Sequence, residues 1–334
     1  MGFLRSRLER RGLYLCVPRT AHRACAHDPD NPPRRGHPVT EPQSGAPSSP
    51  VLTVGEVVAR AAEFFRGKGI ASARLDAELL VGEALGLDRL GVYMNLEKPV
   101  GGAERDRARE LVRRRGLREP VAYILGRREF HSRDFAVGPG VLVPRPETEL
   151  LVDAAMERLA SKFGAEKEWR VLEFGTGSGA ICVSLAAEKP QARIVATEIS
   201  AAALEFARRN ARTHGVDDRI EFRLQPDFAG IAGPFHAVLA NPPYVNPADK
   251  PAVSPEVMLH EPEVAVFADD AGMALVRQVA RDALPLLAPG GFTLIEVGAG
   301  QGDRAADLAA QLGYGSVAVL DDYAGIPRIL ALDR

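Results

Sequence analysis

One stretch of the sequence decides the fold: Val171-Leu172-Glu173-Phe174-Gly175-Thr176-Gly177-Ser178-Gly179. Its first four residues are typical of a buried strand, and the glycines after them allow a tight turn that brings the backbone close to a ligand. Glu198 stands 19 residues after Gly179, at the end of the next predicted strand, where a carboxylate can accept both hydroxyls of a ribose. This spacing favours an adenosine-type cofactor without saying which one, because a nicotinamide-dinucleotide fold needs the same parts. A glycine turn that holds no ligand is the other alternative.

Strands and helices alternate along the chain after residue 170. The predicted strands span 171–174, 193–197, 220–224, 235–240, 291–297, 316–320 and 328–332, and the predicted helices span 180–187, 201–214, 272–287 and 301–312. Such alternation predicts an α/β fold with a doubly wound, mostly parallel sheet. The last two strands have no helix between them, so they predict an antiparallel edge. A helix that opens at Pro144-Arg145-Pro146-Glu147-Thr148-Glu149 and runs to residue 162 precedes this region, which we assign as a domain over residues 145–334.

Three segments precede that domain. Residues 1–50 are first rich in arginine and then in proline, serine and glycine, so they predict a disordered or non-native leader, with an organellar targeting peptide as the alternative. Residues 51–120 carry apolar residues at helical spacing and predict a small helical domain with helices at 54–68, 76–86 and 103–115. Residues 121–144 change period and predict a β-hairpin linker with strands at 123–126, 129–130 and 134–137.

Composition excludes several classes of protein. The 334 residues carry a net charge of −2, which argues against a protein that binds nucleic acid through many phosphate contacts. Cys16, Cys25 and Cys182 show no C-x-x-C spacing, so we expect neither a disulfide framework nor a metal site, and a reducing, cytoplasmic location is favoured. No stretch approaches the roughly 18 apolar residues that a membrane-spanning helix needs.

The most specific chemical signal is Asn241-Pro242-Pro243-Tyr244, directly after the predicted strand 235–240. Two consecutive prolines stiffen the backbone and leave carbonyl groups unpaired. If the Asn241 side-chain oxygen and the Pro242 carbonyl accept the two N–H bonds of an NH₂ group, the nitrogen lone pair can point at a sulfonium methyl group. Positioning and charge placement then supply most of the catalysis. The tetrapeptide therefore predicts methyl transfer to an amide or amino nitrogen. The alternative is a proline-rich loop that ends the strand and has no catalytic role.

Asp227-Phe228 follows the predicted strand 220–224. In a methyltransferase sheet this loop flanks the adenine, where the acid can take the exocyclic amine and the aromatic ring can stack. The alternative is a surface turn with one buried phenylalanine.

With these motifs the chain resembles the HemK/PrmC family, the peptide chain release factor N5-glutamine methyltransferases that use S-adenosylmethionine. The resemblance covers roughly residues 53–334. It rests on the glycine turn and the Asn-Pro-Pro-Tyr segment and on three further stretches: Arg118-Glu119-Pro120-Val121-Ala122-Tyr123-Ile124-Leu125-Gly126, Val141-Leu142-Val143-Pro144-Arg145-Pro146-Glu147-Thr148-Glu149 and His260-Glu261-Pro262.

The resemblance implies a class I (Rossmann-like) S-adenosylmethionine-dependent methyltransferase sheet with a small N-terminal helical domain. It implies that the donor contacts Gly175, Thr176, Gly177, Ser178, Gly179, Glu198, Asp227, Phe228 and Asn241. The substrate glutamine is expected at Asn241, Pro242, Pro243, Tyr244 and Arg145. By the same likeness the helical domain helps to dock a class I release factor, which presents that glutamine in a Gly-Gly-Gln loop, and we expect a monomer without metal, membrane or direct nucleic-acid contact.

Three positions depart from the family pattern. Glu173 and Glu198 stand where the family usually has aspartate, and Phe228 stands where it often has tryptophan. Both acidic changes keep the charge and lengthen the arm by one methylene, so we expect donor binding to survive. The remaining alternatives are a nucleic-acid base methyltransferase acting on adenine N6 or guanine N2, a ribosomal-protein glutamine methyltransferase, and, from other classes, an inactive donor-binding module or a nicotinamide-dependent oxidoreductase.

Overall fold

The helical domain begins with α1 (Val54–Gly67), which a capping box opens. Thr53 Oγ1 accepts from the Glu56 backbone N–H at 3.3 Å, and the Glu56 carboxylate accepts from the Thr53 N–H at 2.9 Å. The other helices of this domain are α2 (Ala73–Leu85), α3 (Arg89–Met94), α4 (Gly102–Gly116) and α5 (Val121–Leu125). The helices predicted at 54–68, 76–86 and 103–115 are confirmed, whereas α3 was not predicted because its six residues are too short to show a period. The structure, a computed structural model, describes residues 51–334, so the predicted leader over residues 1–50 lies outside the described residues.

The linker is only partly a hairpin. Strands β1 (Arg127–Phe130) and β2 (Arg133–Ala136) pair antiparallel across a tight turn, in which His131 and Ser132 have positive φ. The strand predicted at 123–126 is wrong, because these residues form α5 and its cap. Pro120 starts that helix and Gly126, at φ 70°, ends it. A run of five apolar residues cannot be assigned to strand or helix by its period alone.

The sheet domain follows the linker and is built from alternating elements. Its helices are α6 (Glu149–Phe163), α7 (Ala180–Glu188), α8 (Ala201–Thr213), α9 (Pro255–His260), α10 (Ala274–Ala283) and α11 (Gly302–Ala309). Its strands are β3 (Trp169–Phe174), β4 (Ala192–Glu198), β5 (Ile220–Leu224), β6 (Phe235–Ala240), β7 (Leu287–Glu296), β8 (Ser316–Asp321) and β9 (Pro327–Asp333). The helix predicted to residue 287 ends at Ala283, because a short 3₁₀ turn (Leu284–Leu286) that contains Pro285 follows it and leads into β7.

The seven strands lie in the order β5-β4-β3-β6-β7-β9-β8. The first five are parallel, and β9 runs antiparallel to both of its neighbours, which confirms the predicted parallel sheet with an antiparallel edge. From β3 the chain first builds outward through β4 and β5, and then returns to the other side of β3 with β6. Ligands bind at the carboxyl ends of the strands where the order reverses in this way. This strand order agrees with the class I, Rossmann-like sheet that the resemblance implies.

An ion-pair network joins the helical domain to α9. Arg115 of α4 donates through Nε to Asp76 of α2 at 2.7 Å and through Nη1 to Glu256 of α9 at 3.0 Å. Arg118 also donates to Glu256, at 3.1 Å. The Arg115 and Asp76 side chains are each 6% exposed, so this network lies in the interior rather than on a solvated face. It fixes the position of the chain that follows α9.

Candidate active site

A cavity of about 410 Å³ opens at the carboxyl ends of β3, β4 and β6. It is the site that the topology predicts, since these strands flank the reversal of strand order. Its walls include Gly175, Gly177, Glu198, Ser200, Gln225, Asp227, Asn241, Pro243, Pro262 and Val264. Most of the residues proposed from the sequence as donor or substrate contacts therefore share one cavity.

The glycine turn between β3 and α7 leaves open space on the cavity side. Gly175 and Gly177 have φ of 66° and 56°, a left-handed conformation that side chains rarely adopt, and a Cβ at either position would meet no atom within 4 Å. Gly179 is different, since a Cβ there would lie 3.2 Å from Ala207 Cα of α8. The first two glycines thus keep the cavity free for a ligand, and the third allows helix packing.

Glu198 at the end of β4 is held by backbone donors. Its Oε2 accepts from the Gly177 N–H at 2.8 Å and its Oε1 from the Ser200 N–H at 2.9 Å. Each carboxylate oxygen can accept a second hydrogen bond, so the group can still take the hydroxyls of a ribose. The longer glutamate arm reaches back to the glycine turn and braces it. The residues present therefore fit a nucleoside.

Glu173 lies beneath the same turn, 1% exposed. Thr176 Oγ1 donates to its Oε2 at 2.8 Å, while Oε1 has no partner among residues 51–334. Burial raises the pKa of Glu173 to about 7, and the charge of Glu198 adds to the rise. Glu173 supports the turn from below and does not line the cavity.

The loop after β5 brings Asp227 to the cavity but not Phe228. Asp227 shares this part of the wall with Gln225 and Pro226. The Phe228 ring is 7% exposed and packs edge-on against Phe174, with 5.7 Å between ring centroids. Phe228 belongs to the hydrophobic core on this side of the sheet, so the wall offered to an adenine here comes from its neighbours.

The Asn-Pro-Pro-Tyr segment reaches the cavity at Asn241 and Pro243 and carries two free acceptor oxygens. Asn241 Nδ2 donates to Thr148 Oγ1 at 2.9 Å, which turns the side-chain oxygen away from Thr148. Within residues 51–334, neither Asn241 Oδ1 nor the Pro242 carbonyl oxygen accepts a hydrogen bond. Pro243 lines the cavity, whereas Pro242 is buried and the Tyr244 hydroxyl turns inward to Glu296 Oε1 at 3.4 Å. The two free oxygens can accept hydrogen bonds from the N–H groups of a planar NH₂ group.

Arg145 lies on the cavity wall but its charge is engaged. Nη2 donates to both oxygens of Glu261, and the Val143 N–H donates to Glu261 Oε2 at 3.2 Å. Glu261 therefore anchors the segment before α6. His260 points elsewhere, with Nε2 3.4 Å from the Leu117 carbonyl oxygen.

Comparison with known proteins shows the family of the chain. The PrmC N-terminal domain family matches residues 56–126, and the methyltransferase small domain family matches residues 148–265. A release factor glutamine methyltransferase of Chlorobaculum tepidum is 40% identical over 293 residues, covering 85% of this chain and 98% of that protein. One from Geobacter sulfurreducens is 37% identical over 281 residues, covering 84% of this chain and 96% of that protein.

The chain belongs to the release factor glutamine methyltransferase family. Among solved structures, a methyltransferase from Pyrococcus furiosus matches 60% of this chain and 88% of its own, at 19% identity and a TM-score of 0.44.

Two buried residues beside the Asn-Pro-Pro-Tyr segment of this family member are not indicated as site residues by the sequence motifs. Thr148, 4% exposed, lies inside the Pro-Arg-Pro-Glu-Thr-Glu motif, and Glu296, 1% exposed, ends β7. Burial raises the pKa of Glu296 to about 7, and hydrogen bonding from Thr148 and Tyr244 opposes that rise. The sequence does contain a signal for Glu296. It is an acidic residue at the end of a strand, like Glu198, which was predicted as a site residue for that reason.

Two kinds of feature are missing from the part of the chain that the structure covers. Among residues 51–334, no group of histidine, cysteine, aspartate or glutamate side chains could hold a metal ion. Within the same residues, no helix has the length and apolar character needed to cross a membrane.

Proposed function

We propose that this protein transfers a methyl group from S-adenosylmethionine to the side-chain nitrogen of a glutamine in a class I peptide chain release factor. The observation that carries the proposal is that Asn241, whose Oδ1 is free, lines a cavity together with the glycine turn and Glu198, and that the carbonyl of the next residue, Pro242, is also free. The relatives that match most of this chain are named for that activity.

The donor site is assigned to the glycine turn and the two acids beside it. The open space at Gly175 and Gly177 admits the amino-acid part of the donor close to backbone, Glu198 accepts the ribose hydroxyls, and Asp227 faces the adenine amine. When bound, S-adenosylmethionine supplies an electrophilic methyl group on a positively charged sulfur. Phe228 takes no direct part in this assignment, because its ring is turned into the core.

The substrate nitrogen needs help because the lone pair of an amide is delocalised. Asn241 Oδ1 and the Pro242 carbonyl each accept one N–H, which fixes the plane of the amide and aims the lone pair at the methyl carbon. As the N–C bond forms, the S–C bond breaks and its electron pair stays on sulfur. Positive charge grows on the nitrogen, and the two oxygens stabilise it until one proton passes to solvent. No strong base is needed for this sequence.

Recognition of the protein substrate is assigned to the rest of the chain. The helical domain, residues 51–120, and the linker, 121–144, are proposed to dock the release factor so that its Gly-Gly-Gln loop enters the cavity of residues 145–334. The ion pairs of Arg115 and Arg118 with Glu256 support this division of labour, because they hold the helical domain against the segment that leads to the cavity wall. We propose a cytoplasmic monomer that binds neither nucleic acid nor membrane directly.

Transfer of a labelled methyl group tests the proposal. The protein is incubated with donor labelled on the methyl carbon and with a purified release factor, its Gln→Asn variant in the Gly-Gly-Gln loop, a ribosomal protein mixture, or nucleic acid. We expect one labelled glutamine in the unchanged release factor and none in the variant. Label in nucleic acid or in ribosomal protein would replace the proposal with one of its alternatives, and calorimetry against S-adenosylmethionine and NAD separates a methyltransferase from an oxidoreductase.

A further inference from the structure

Gln301, the residue before α11, joins two backbone groups at the end of the Asn-Pro-Pro-Tyr segment. Its Oε1 accepts from the Gly298 N–H at 2.8 Å, and its Nε2 donates to the Tyr244 carbonyl oxygen at 2.8 Å. Gly298 follows β7 and Tyr244 follows β6, and these two strands are neighbours in the sheet. One side chain therefore connects the segment that holds the substrate to the turn after the next strand.

The two backbone partners fix the orientation of the Gln301 amide. A backbone N–H can only donate and a carbonyl oxygen can only accept, so the Gln301 oxygen must face Gly298 and its NH₂ group must face Tyr244. An ionised glutamate at this position would keep the acceptor and lose the donor. The contact with Tyr244 therefore depends on the one hydrogen-bonding group that an amide has and a carboxylate lacks.

A turn with unusual backbone angles packs against the same carbonyl group. Asp270, Ala271 and Gly272 have φ of 54°, 51° and 83°, a left-handed region that residues other than glycine rarely adopt. A Cβ at Gly272 would overlap the Tyr244 carbonyl oxygen and would lie 2.6 Å from Gln301 Nε2. The bare Cα of Gly272 is therefore what allows the turn to approach this hydrogen bond.

Two arginines hold the turn in place. Arg277 of α10 donates to Asp270 Oδ2 at 2.8 Å. Arg304 of α11 donates to Asp270 Oδ1 at 2.9 Å and to the Asp270 carbonyl oxygen at 3.1 Å. Backbone strain of this kind persists only where the surrounding contacts maintain it, and it clusters at functional sites. The turn and Gln301 together restrict the Tyr244 carbonyl group from two sides.

We infer that Gln301 is a positioning residue for methyl transfer, which fixes the Tyr244 carbonyl group and through it the free Pro242 carbonyl oxygen. Each proline holds its φ at about −65°, so the segment has few ways to bend. Its first residue, Asn241, is tied to Thr148 at 2.9 Å, and its last residue is tied to Gln301. The catalytic consequence rests on the proposed function, whereas the position of Tyr244 is a property of the free protein.

Carbonyl NMR tests the contact without donor or substrate. The dipeptide Tyr-Val occurs once in the 334 residues, at Tyr244-Val245, so tyrosine labelled with ¹³C at the carbonyl and valine labelled with ¹⁵N give one correlated signal. In Gln301→Glu at pH 8 the carboxylate cannot donate, and the Tyr244 carbonyl carbon should move upfield. At pH 5.5 the protonated carboxyl can donate, and the signal should return.

The comparison is made between the variant and the unchanged protein at each pH. The charged groups around the contact are Asp270, Arg277 and Arg304 at the turn and Glu296 at the Tyr244 hydroxyl, and they are the same in both proteins. A Tyr244 signal that is unchanged by the substitution at pH 8, or that does not return at pH 5.5, would overturn the inference.

Turnover of the same variant supplies the second test. Gln301→Glu should lower kcat by roughly 10- to 100-fold at pH 8, because a small displacement of the groups that hold a substrate has an effect of this size. Donor affinity should not change, since Gln301 does not line the donor cavity. The loss of kcat relative to the unchanged protein should shrink at pH 5.5, which general damage to the fold would not produce.

Gln311→Glu is the matched control. Gln311 is exposed, and its Nε2 donates to the Asp307 carbonyl oxygen at 3.4 Å, so the same chemical change should leave kcat as it is. Equal kcat in Gln301→Glu and Gln311→Glu at pH 8 would reject the positioning role. A loss in Gln301→Glu that is the same at both pH values would reject it as well.

The two proposals can fail separately. If the Tyr244 signal responds as expected but the protein methylates no release factor, the proposed function is wrong and the role of Gln301 in fixing Tyr244 stands. If the protein methylates the release factor while Gln301→Glu keeps the Tyr244 signal and the kcat of the unchanged protein, the positioning role is wrong and the function stands.

Discussion

Arg145 Nη2 donates to both carboxylate oxygens of Glu261, at 2.8 Å to Oε1 and 2.9 Å to Oε2. The Glu261 side chain is 2% exposed and that of Arg145 is 32% exposed, so the carboxylate depends on this guanidinium for its neutralisation. The pair joins the motif before α6 to the segment after α9, which together frame the cavity. The Arg145 guanidinium is thus already paired within the protein when no substrate is bound.

Removing Arg145 should therefore destabilise the fold more than it affects chemistry. In Arg145→Met the buried Glu261 carboxylate loses its partner, and we expect a loss of about 3 kcal/mol in the free energy of unfolding. The double variant Arg145→Met/Glu261→Met should recover much of this loss, because no buried charge remains. Urea unfolding of the three variants measures the cycle. Additive effects of the two single substitutions would show that the residues do not depend on each other.

Asn241→Ala should affect turnover and spare donor binding. The substitution removes one of the two oxygens that hold the substrate amide, and loss of a single such group costs roughly 100- to 1,000-fold in kcat. Asn246→Ala is the control, since Asn246 caps a nearby 3₁₀ turn, with its Oδ1 accepting from the Ala248 N–H at 3.1 Å. Steady-state kinetics measures the turnover of each variant, and calorimetry measures its affinity for the donor. Weaker donor binding with unchanged turnover would contradict the assigned role of Asn241.

Gly177→Ala should weaken donor binding for a reason that Gly215→Ala does not share. Both glycines have positive φ, 56° and 65°, and at both positions a Cβ would meet no atom of the protein. Each substitution should cost about 1–2 kcal/mol of stability through backbone strain. Only Gly177 lines the donor cavity, so only its variant should raise the donor dissociation constant. Equal donor affinity in the two variants, measured by calorimetry, would remove the glycine turn from the donor site.

Glu173→Gln should stabilise the protein at alkaline pH. The pKa of Glu173 is raised in the folded state to about 7 from 4.5, so the stability it contributes is present below pH 4.5 and is lost as the pH rises to about 7. This increase in the pKa of Glu173 corresponds to a stability change of about 3 kcal/mol, because one pKa unit corresponds to about 1.4 kcal/mol. The variant should therefore exceed the unchanged protein in stability at pH 8 and differ from it much less at pH 5.

Thermal unfolding at the two pH values measures this difference. Glu205→Gln, which changes an exposed glutamate of α8, serves as the control and should show the same stability difference at both values. A Glu173→Gln variant that is destabilised at pH 8 would mean that the buried carboxylate is needed to hold Thr176.

The parts of the site that the sequence predicted are short contiguous signals. The glycine turn, Glu198 and the Asn-Pro-Pro-Tyr segment each stand at the end of a predicted strand, and the parallel order of β3, β4 and β6 brings all three ends to one edge of the sheet. Local residue type and strand polarity are enough to place such groups.

The parts that escaped prediction depend on contacts between distant residues. Thr148 and Asn241 are 93 residues apart, and no local pattern indicates that one orients the other. Phe228 was expected to stack on a ligand, yet its ring packs against Phe174, because an aromatic residue in a loop can face either the core or the cavity. The apolar run of α5 is too short to reveal a period, so its sequence alone does not separate a helix from a strand.

The Glu256 carboxylate, which accepts from both Arg115 and Arg118, limits which helical domains can be combined with this sheet domain. Its charge is balanced by Arg115 and Arg118, and both of these guanidinium groups belong to the other domain. A chimaera that took its helical domain from an unrelated protein would bring no counter-charge and would leave the half-buried Glu256 carboxylate unpaired. Recombination at this boundary should succeed only between parents that both retain the two arginines.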